Sequence, residues 1–365
     1  MFKKIALLLF FINFSGFSQQ VTISEPLTIS ILTVGTADES HSLYGHTALR
    51  IVDNSNHTDL VYNYGMFDFR TENFVLKFVK GDLQYFAAAY PYADFEYSYR
   101  EENRSIYEQV LNLSSEEKLA LQLKLINTLY SKDRIYTYKF IDRNCTTKVV
   151  DIINDVLKSK VITKKKFDSK TYRDVLFPYA KNHFFQKLGI NIIFGTKVDN
   201  NASTIFLPFD LKENLDKTTY KNKALVQETK TLFEANRKPI TSLWDTIYIL
   251  IGALVLLIII NNKKLTIAYF IILGFLGLLF SVIGLYSFHK ELLWNYNVLL
   301  FNPLSLVLVF FIIKNNILWI SRICKWCLAC IGIYTVFMLN KIHLLIVLPI
   351  IATTAIQLIR LIRRK

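Results

Sequence analysis

Residues 136–157 read YTYKFIDRNCTTKVVDIINDVL, and the pattern changes period in the middle of that stretch. Tyr136 to Phe140 is short and aromatic-rich, which predicts a strand. Beyond it the apolar residues Val149, Ile152, Ile153, Val156 and Leu157 recur at helical spacing. Asn144 is a good N-cap for that helix, so Cys145 is expected in its first turn. A thiol there feels the positive end of the helix dipole, which lowers its pKa and brings the thiolate within reach near neutral pH. The unpaired N–H groups beside it can hold an oxyanion. A cysteine packed under the helix is the competing reading, so the question is whether a base stands nearby.

Upstream, 29–34 reads as a strand ending at Gly35, and a polar loop follows through Asp38, Glu39 and Ser40. Thr47, Leu49 and Ile51 then alternate with Ala48, Arg50 and Val52, the period of a strand. Asp53-Asn54-Ser55-Asn56 is turn chemistry, and a second strand runs over 60–65. His46 therefore begins a hairpin strand, a rigid mount for an imidazole. Asn63, on the partner strand, is the first choice to orient His46, with Tyr62 and Tyr64 as rivals. Arg50 and Glu39 are candidates for binding a head group or an amine, although a surface ion pair is the commoner fate of such residues. Further strands are expected over 85–89 and 105–111, and Ser114 with Glu117 makes a capping box for a helix over 116–130.

The composition is 52% hydrophobic, too apolar for an ordinary soluble protein, and the excess lies beyond about Pro239. Five spans can be drawn there: 243–260, 265–286, 298–313, 326–339 and 342–359, the fourth able to start earlier through 317–323. Placing the N-terminal domain outside puts Lys263, Lys264, Lys314, Arg322, Lys325, Arg360, Arg363, Arg364 and Lys365 on the cytoplasmic side. Much of the net charge of +14 is explained this way, and no nucleic-acid motif accompanies it. The run Lys164-Lys165-Lys166 either attracts anionic lipid or is a solvated basic face. His289, Asn295, Asn297 and Asn302 fall near the outer membrane edge, where polar groups need partners; they are candidates to line a lipid entrance or to cap helices.

Met1 to Ser18 carries Lys3 and Lys4, an apolar 5–14 core and Gly16-Phe17-Ser18, which predicts a signal peptide over 1–18 with Gln19 as the new N-terminus. The expected division is then 19–240 for an extracytoplasmic domain and 241–365 for the membrane part. Only Cys145 of the four cysteines lies in the extracytoplasmic domain, so no disulfide can form within it. Cys324, Cys327 and Cys330 enter a membrane helix without a fourth soft ligand, and are read as packing residues rather than a metal site.

A histidine on a strand followed by a cysteine on a helix resembles the circularly permuted papain-like enzymes, a group that includes lecithin:retinol acyltransferase. The strings Tyr44-Gly45-His46-Thr47-Ala48-Leu49-Arg50, Val61-Tyr62-Asn63-Tyr64-Gly65 and Asn144-Cys145-Thr146-Thr147 are more similar still to the bacterial family called Lnb, the lipoprotein N-acyltransferase of Bacteroidota. Gly189 to Gly195, Asp199, Phe206-Leu207-Pro208 and His289 with the asparagines after it add to the resemblance.

The resemblance implies an α+β, permuted papain-like domain of the NlpC/lecithin:retinol acyltransferase type, followed by an all-α transmembrane bundle in the inner membrane. It implies transfer of an acyl chain from a membrane phospholipid, through a Cys145 thioester, to the α-amino group of diacylated lipoproteins. No cofactor is required. Cys145, His46 and Asn63 would be catalytic; Tyr44, Arg50, Tyr62, Tyr64, Glu39, His289, Asn295 and Asn297 would bind substrate. Two other classes compete: a membrane-anchored cysteine hydrolase acting on wall peptides or lipids, and a sensor that retains the fold without the chemistry.

Overall fold

The computed structural model describes residues 27–164, 170–237 and 242–363. The expected signal peptide over 1–18, Gln19, Lys165, Lys166, the domain boundary near residue 240, Arg364 and Lys365 lie outside the described residues.

The N-terminal part is built on a seven-stranded antiparallel sheet. Strands β1 (Leu27–Val34), β2 (His46–Asp53) and β3 (Thr58–Met66) form a meander, extended after helix α1 (Phe74–Lys80) by β4 (Gln84–Pro91). Helix α2 (Tyr92–Glu101) leads to β5 (Ile106–Leu111), which pairs with the other edge of β1. Helix α3 (Ser115–Leu129) carries the expected capping box. Next come β6 (Ile135–Thr137), on the outer edge of β4, and α4 (Cys145–Val156). Helices α5 (Tyr172–Leu176), α6 (Phe184–Ile193) and α7 (Pro208–Leu215), with the hairpin β7 (Thr219–Tyr220) and β8 (Lys223–Ala224), precede β9 (Val226–Phe233), which pairs with β5.

The period-2 pattern divides the residues between the two faces of the sheet. Ile29, Ile31, Leu49, Ile51, Tyr62 and Tyr64 pack with α3 and α4 through Leu121, Leu125, Val149, Ile152 and Ile153. Leu32, Val34, Ala48 and Val61 pack on the other face with Phe95 of α2. The strand expected over 136–140 stops at Thr137 because the chain folds back on itself. Lys139 and Arg143 exchange backbone hydrogen bonds of 3.0 and 3.1 Å, and that turn delivers Asn144 to the start of α4.

The C-terminal bundle comprises α8 (Ile247–Ile260), α9 (Lys263–Tyr286), α10 (Leu304–Ile313), α11 (Ile317–Met338) and α12 (Leu344–Arg363). Among the described residues, four stretches of 18 residues or more are long and apolar enough to cross a membrane: Lys263–Tyr286, Lys290–Ile313, Ile317–Met338 and Leu344–Arg363. Helix α8 is a shorter fifth apolar helix: it runs from the sheet-domain end, where Asp245 Oδ1 accepts from the Phe185 N–H at 2.7 Å, to the end where the Leu257 and Ile258 carbonyls accept from Gln357 and Arg360, so each of the five expected spans holds an apolar helix. At 14 residues α8 reaches only about 21 Å, short of a hydrocarbon core of roughly 30 Å. The third span gains length from 3₁₀ turns at Lys290–Leu292 and Tyr296–Leu299, and the fourth does begin at Ile317. Lys263 Nζ donates to Asn315 Oδ1 at 2.8 Å, so those two basic turns meet at one end of the bundle. The 287–297 segment lies at the other end, against the sheet domain.

Candidate active site

Asn144 caps α4. Its Oδ1 accepts from the Thr147 N–H at 3.0 Å, and the Thr147 hydroxyl accepts from the Asn144 N–H at 2.8 Å. Its amide Nδ2 donates to the carbonyls of Phe140 and Phe206, at 2.8 and 2.9 Å. One side chain therefore fixes the helix start, the turn before it and the segment before α7. Cys145 is the first helical residue, half-buried and a free thiol.

His46 opens β2. Gly45 before it sits at φ +82°, and a Cβ there would lie 2.5 Å from the Val34 carbonyl oxygen, so the bend that launches the strand requires glycine. Asn63 is opposite Ala48 in the ladder and therefore shares a sheet face with His46. His46 Nε2 lies 2.9 Å from Asn63 Oδ1. The His46 ring also stacks near Tyr99 of α2, with centroids 6.3 Å apart. Next to Asn63 the β3–β4 register shifts, and Gly65 takes φ +93°. A Cβ on Gly65 would lie 3.5 Å from Cβ of Cys145, so this irregularity lets the helix tip approach the sheet.

Burial alone would push the Cys145 thiol up. The His46 imidazole, the Thr47 N–H and the Thr146 hydroxyl outweigh it and hold the thiol below its usual range. Thr146 is itself held, its hydroxyl 3.0 Å from that of Thr47. Cys145 and His46 line one cavity of about 340 Å³. Its walls include Phe67, Phe69, Phe74, Phe78, Tyr85, Tyr138, Phe140 and Phe206, a lining suited to hydrocarbon rather than to a charged peptide.

Residues 14–177 match the family model described as the Lnb N-terminal periplasmic domain. This part of the chain is consistent with the Lnb family. No curated protein and no solved structure matches the chain significantly. A periplasmic Lnb domain followed by four apolar helices fits a membrane protein whose sheet domain lies outside the bilayer.

Of the residues expected to touch substrate, Tyr44 lines the cavity, held by ring contacts to Phe140 and Tyr179. The others are corrected. Tyr62 and Tyr64 are buried among the α3 and α4 side chains, on the face of the sheet opposite His46 and Asn63. Arg50 is committed to Asp59 through bonds of 2.8 and 2.6 Å and to Glu108 at 3.1 Å, and lies over the Tyr92 ring. Glu39 is exposed and pairs with His41; Ser40 and His41, not Glu39, reach the cavity. His289 bonds the Phe78 carbonyl and faces Glu291, while Asn295 and Asn297 donate to the carbonyls of Ile192 and Ile193 or Phe194 at the end of α6. These three join the sheet domain to the bundle and do not line the cavity.

Tyr99 and the aromatic walls were missed by sequence reasoning. Tyr99 comes to His46 from a helix more than fifty residues downstream, and no local spacing signals such a contact. Phe67, Phe69, Phe74 and Phe78 did carry a signal, a cluster of phenylalanines outside any strand pattern.

Proposed function

We propose that this protein is a lipoprotein N-acyltransferase of the bacterial inner membrane. The observation that carries the reading is that Cys145 and His46, the latter held by Asn63, line one aromatic cavity in a chain that also carries a membrane bundle. The Lys263 and Asn315 turns mark the cytoplasmic end by the positive-inside rule, which leaves the cavity at the outer end.

In the first half-reaction the Cys145 thiolate attacks the ester carbonyl of a phospholipid. The C–O bond to the glycerol breaks, and the departing alkoxide takes a proton from His46. The N–H of Cys145, which has no intrahelical acceptor at the start of α4, is available to the tetrahedral oxyanion. Asn63 holds the ring by Nε2, leaving Nδ1 to face the sulfur. In the second half-reaction the α-amine of a diacylated lipoprotein attacks the thioester, its proton passes to His46, and the thiolate leaves. Apolar walls hinder water from competing.

The test is incubation with phospholipid and a diacylated lipopeptide, read by mass spectrometry beside Cys145→Ala. A hydroxylamine-labile acyl adduct on Cys145 and an N-acylated lipopeptide are expected. Free fatty acid with no lipopeptide product would replace this reading with a hydrolase. No adduct, with Cys145 dispensable in cells, would replace it with the sensor.

A further inference from the structure

Helix α1 reads Phe74-Val75-Leu76-Lys77-Phe78-Val79-Lys80, and none of its residues is buried. Val75 and Leu76 are 69% and 62% exposed, and Phe69 just upstream is equally open. A patch of this kind marks an interaction surface.

Its position says what covers it. The end of α1 is bonded to the outer end of α9: the Phe288 N–H donates to the Lys80 carbonyl at 2.7 Å, and the Ser287 hydroxyl to the Val79 carbonyl at 2.6 Å. Helix α9 is of membrane-crossing length, and its last turn exposes Leu285 and Tyr286, followed by exposed Phe288. The apolar face of α1 therefore continues the lipid-facing surface of the bundle. Lys80, which pairs with Asp82 at 3.2 Å, and Lys139, which donates to the Gly81 carbonyl, also place their ammonium groups 5.7 and 5.3 Å from the Phe288 ring centre, basic groups beside an apolar ring as at the head-group level.

We propose that α1 lies in the outer surface of the bilayer and passes a phospholipid acyl chain into the Cys145 cavity. The wall it crosses is formed by Phe69, Phe74 and Phe78, which line the cavity. The rings of Phe69 and Phe74 meet at 5.1 Å, and such dispersion contacts are readily exchanged for contacts with hydrocarbon. The passage of the chain rests on the thioester reading above; the bilayer contact does not.

Two experiments on the full chain in phosphatidylethanolamine–phosphatidylglycerol vesicles separate these statements. With p-benzoylphenylalanine at Val75 or Leu76, photo-cross-links to lipid are expected, and none from the same probe at exposed Leu119 on α3. Equal lipid labelling at Leu76 and Leu119 would overturn the bilayer contact. The pair Val75→Asp with Leu76→Asp should slow Cys145 acylation from vesicle phospholipid by about tenfold or more, the equivalent of losing one buried aliphatic side chain. Acylation from a water-soluble short-chain ester should stay at the wild-type rate. Equal loss with both donors would overturn the passage, as would a wild-type protein acylated by neither, in which case the thioester reading falls too while the cross-link still judges the contact.

Discussion

His46 and Asn63 meet across two paired strands, with Nε2 and Oδ1 2.9 Å apart on the sheet face opposite the α3–α4 core. The amide oxygen is a fixed acceptor, so it selects the tautomer with the proton on Nε2 and leaves Nδ1 as the basic nitrogen. Asn63→Ala is expected to slow thioester formation by about 100-fold, since loss of an orienting partner leaves nucleophile and base in place but mis-set. Asn63→Gln, which moves the acceptor by one methylene, should not restore the rate. Single-turnover acylation followed by mass spectrometry reads both.

The lowered pKa of Cys145 predicts a pH profile for alkylation. In the native protein iodoacetamide reactivity should rise at a pH below the free-thiol value of about 8.5. In His46→Ala the midpoint should move up past that value, because burial remains while the imidazole is gone. The same shift is a stability statement. A depressed folded-state pKa contributes stability that is complete above the unfolded value and is lost as pH falls through the folded one.

Asn144→Ala removes a cap and two bonds to the carbonyls of Phe140 and Phe206. The cap alone is worth about 1 kcal/mol. A lower thermal midpoint together with slower alkylation of Cys145 is expected. Asn144→Asp should retain the cap yet set a carboxylate against two carbonyl oxygens, so it should be no better than alanine in the thermal scan.

Gly45 and Gly65 both have positive φ but meet different neighbours. Gly45→Ala drives a Cβ into the Val34 carbonyl and should lower both folded yield and activity. Gly65→Ala carries the dihedral strain alone, about 1–3 kcal/mol, and sits against Cys145. Its main effect should be on the acylation rate, compared at equal folded yield by size-exclusion chromatography.

Arg50→Met should destabilise without changing the apparent affinity for phospholipid. It leaves Glu108, whose side chain is nearly buried, with one partner fewer, at about 1–3 kcal/mol. A change in vesicle binding with unchanged stability would restore Arg50 as a head-group ligand.

How much of this could be read from the sequence follows from the range of the interactions. The N-cap at Asn144 involves residues three apart, and the hairpin that pairs Asn63 with the His46 strand is closed by a local turn; both were legible. Arg50 was legible as either a head-group ligand or half of an ion pair, and the sequence could not name its partners because Asp59 and Glu108 reach it through strand pairing and a distant strand. Tyr62 and Tyr64 looked adjacent to the site because alternation gives two faces without saying which one carries the imidazole. Asn295 and Asn297 were legible as polar groups in need of partners, but the partner, the end of α6, lies about a hundred residues away. The span expected over 243–260 holds the apolar helix α8, which begins later, at Ile247, since apolar composition does not report where a helix begins.

The junction around Gly195 leaves no slack: a Cβ there would overlap the Leu293 carbonyl oxygen at 1.8 Å, while Asn295 and Asn297 tie down the end of α6 and Arg173 binds Asp199 and the Tyr296 hydroxyl. The sheet domain is thus bolted to its stalk like the head of a fixed lathe. The thiol keeps one height above the bundle, and in the proposed reaction both workpieces have to be fed to it at that height.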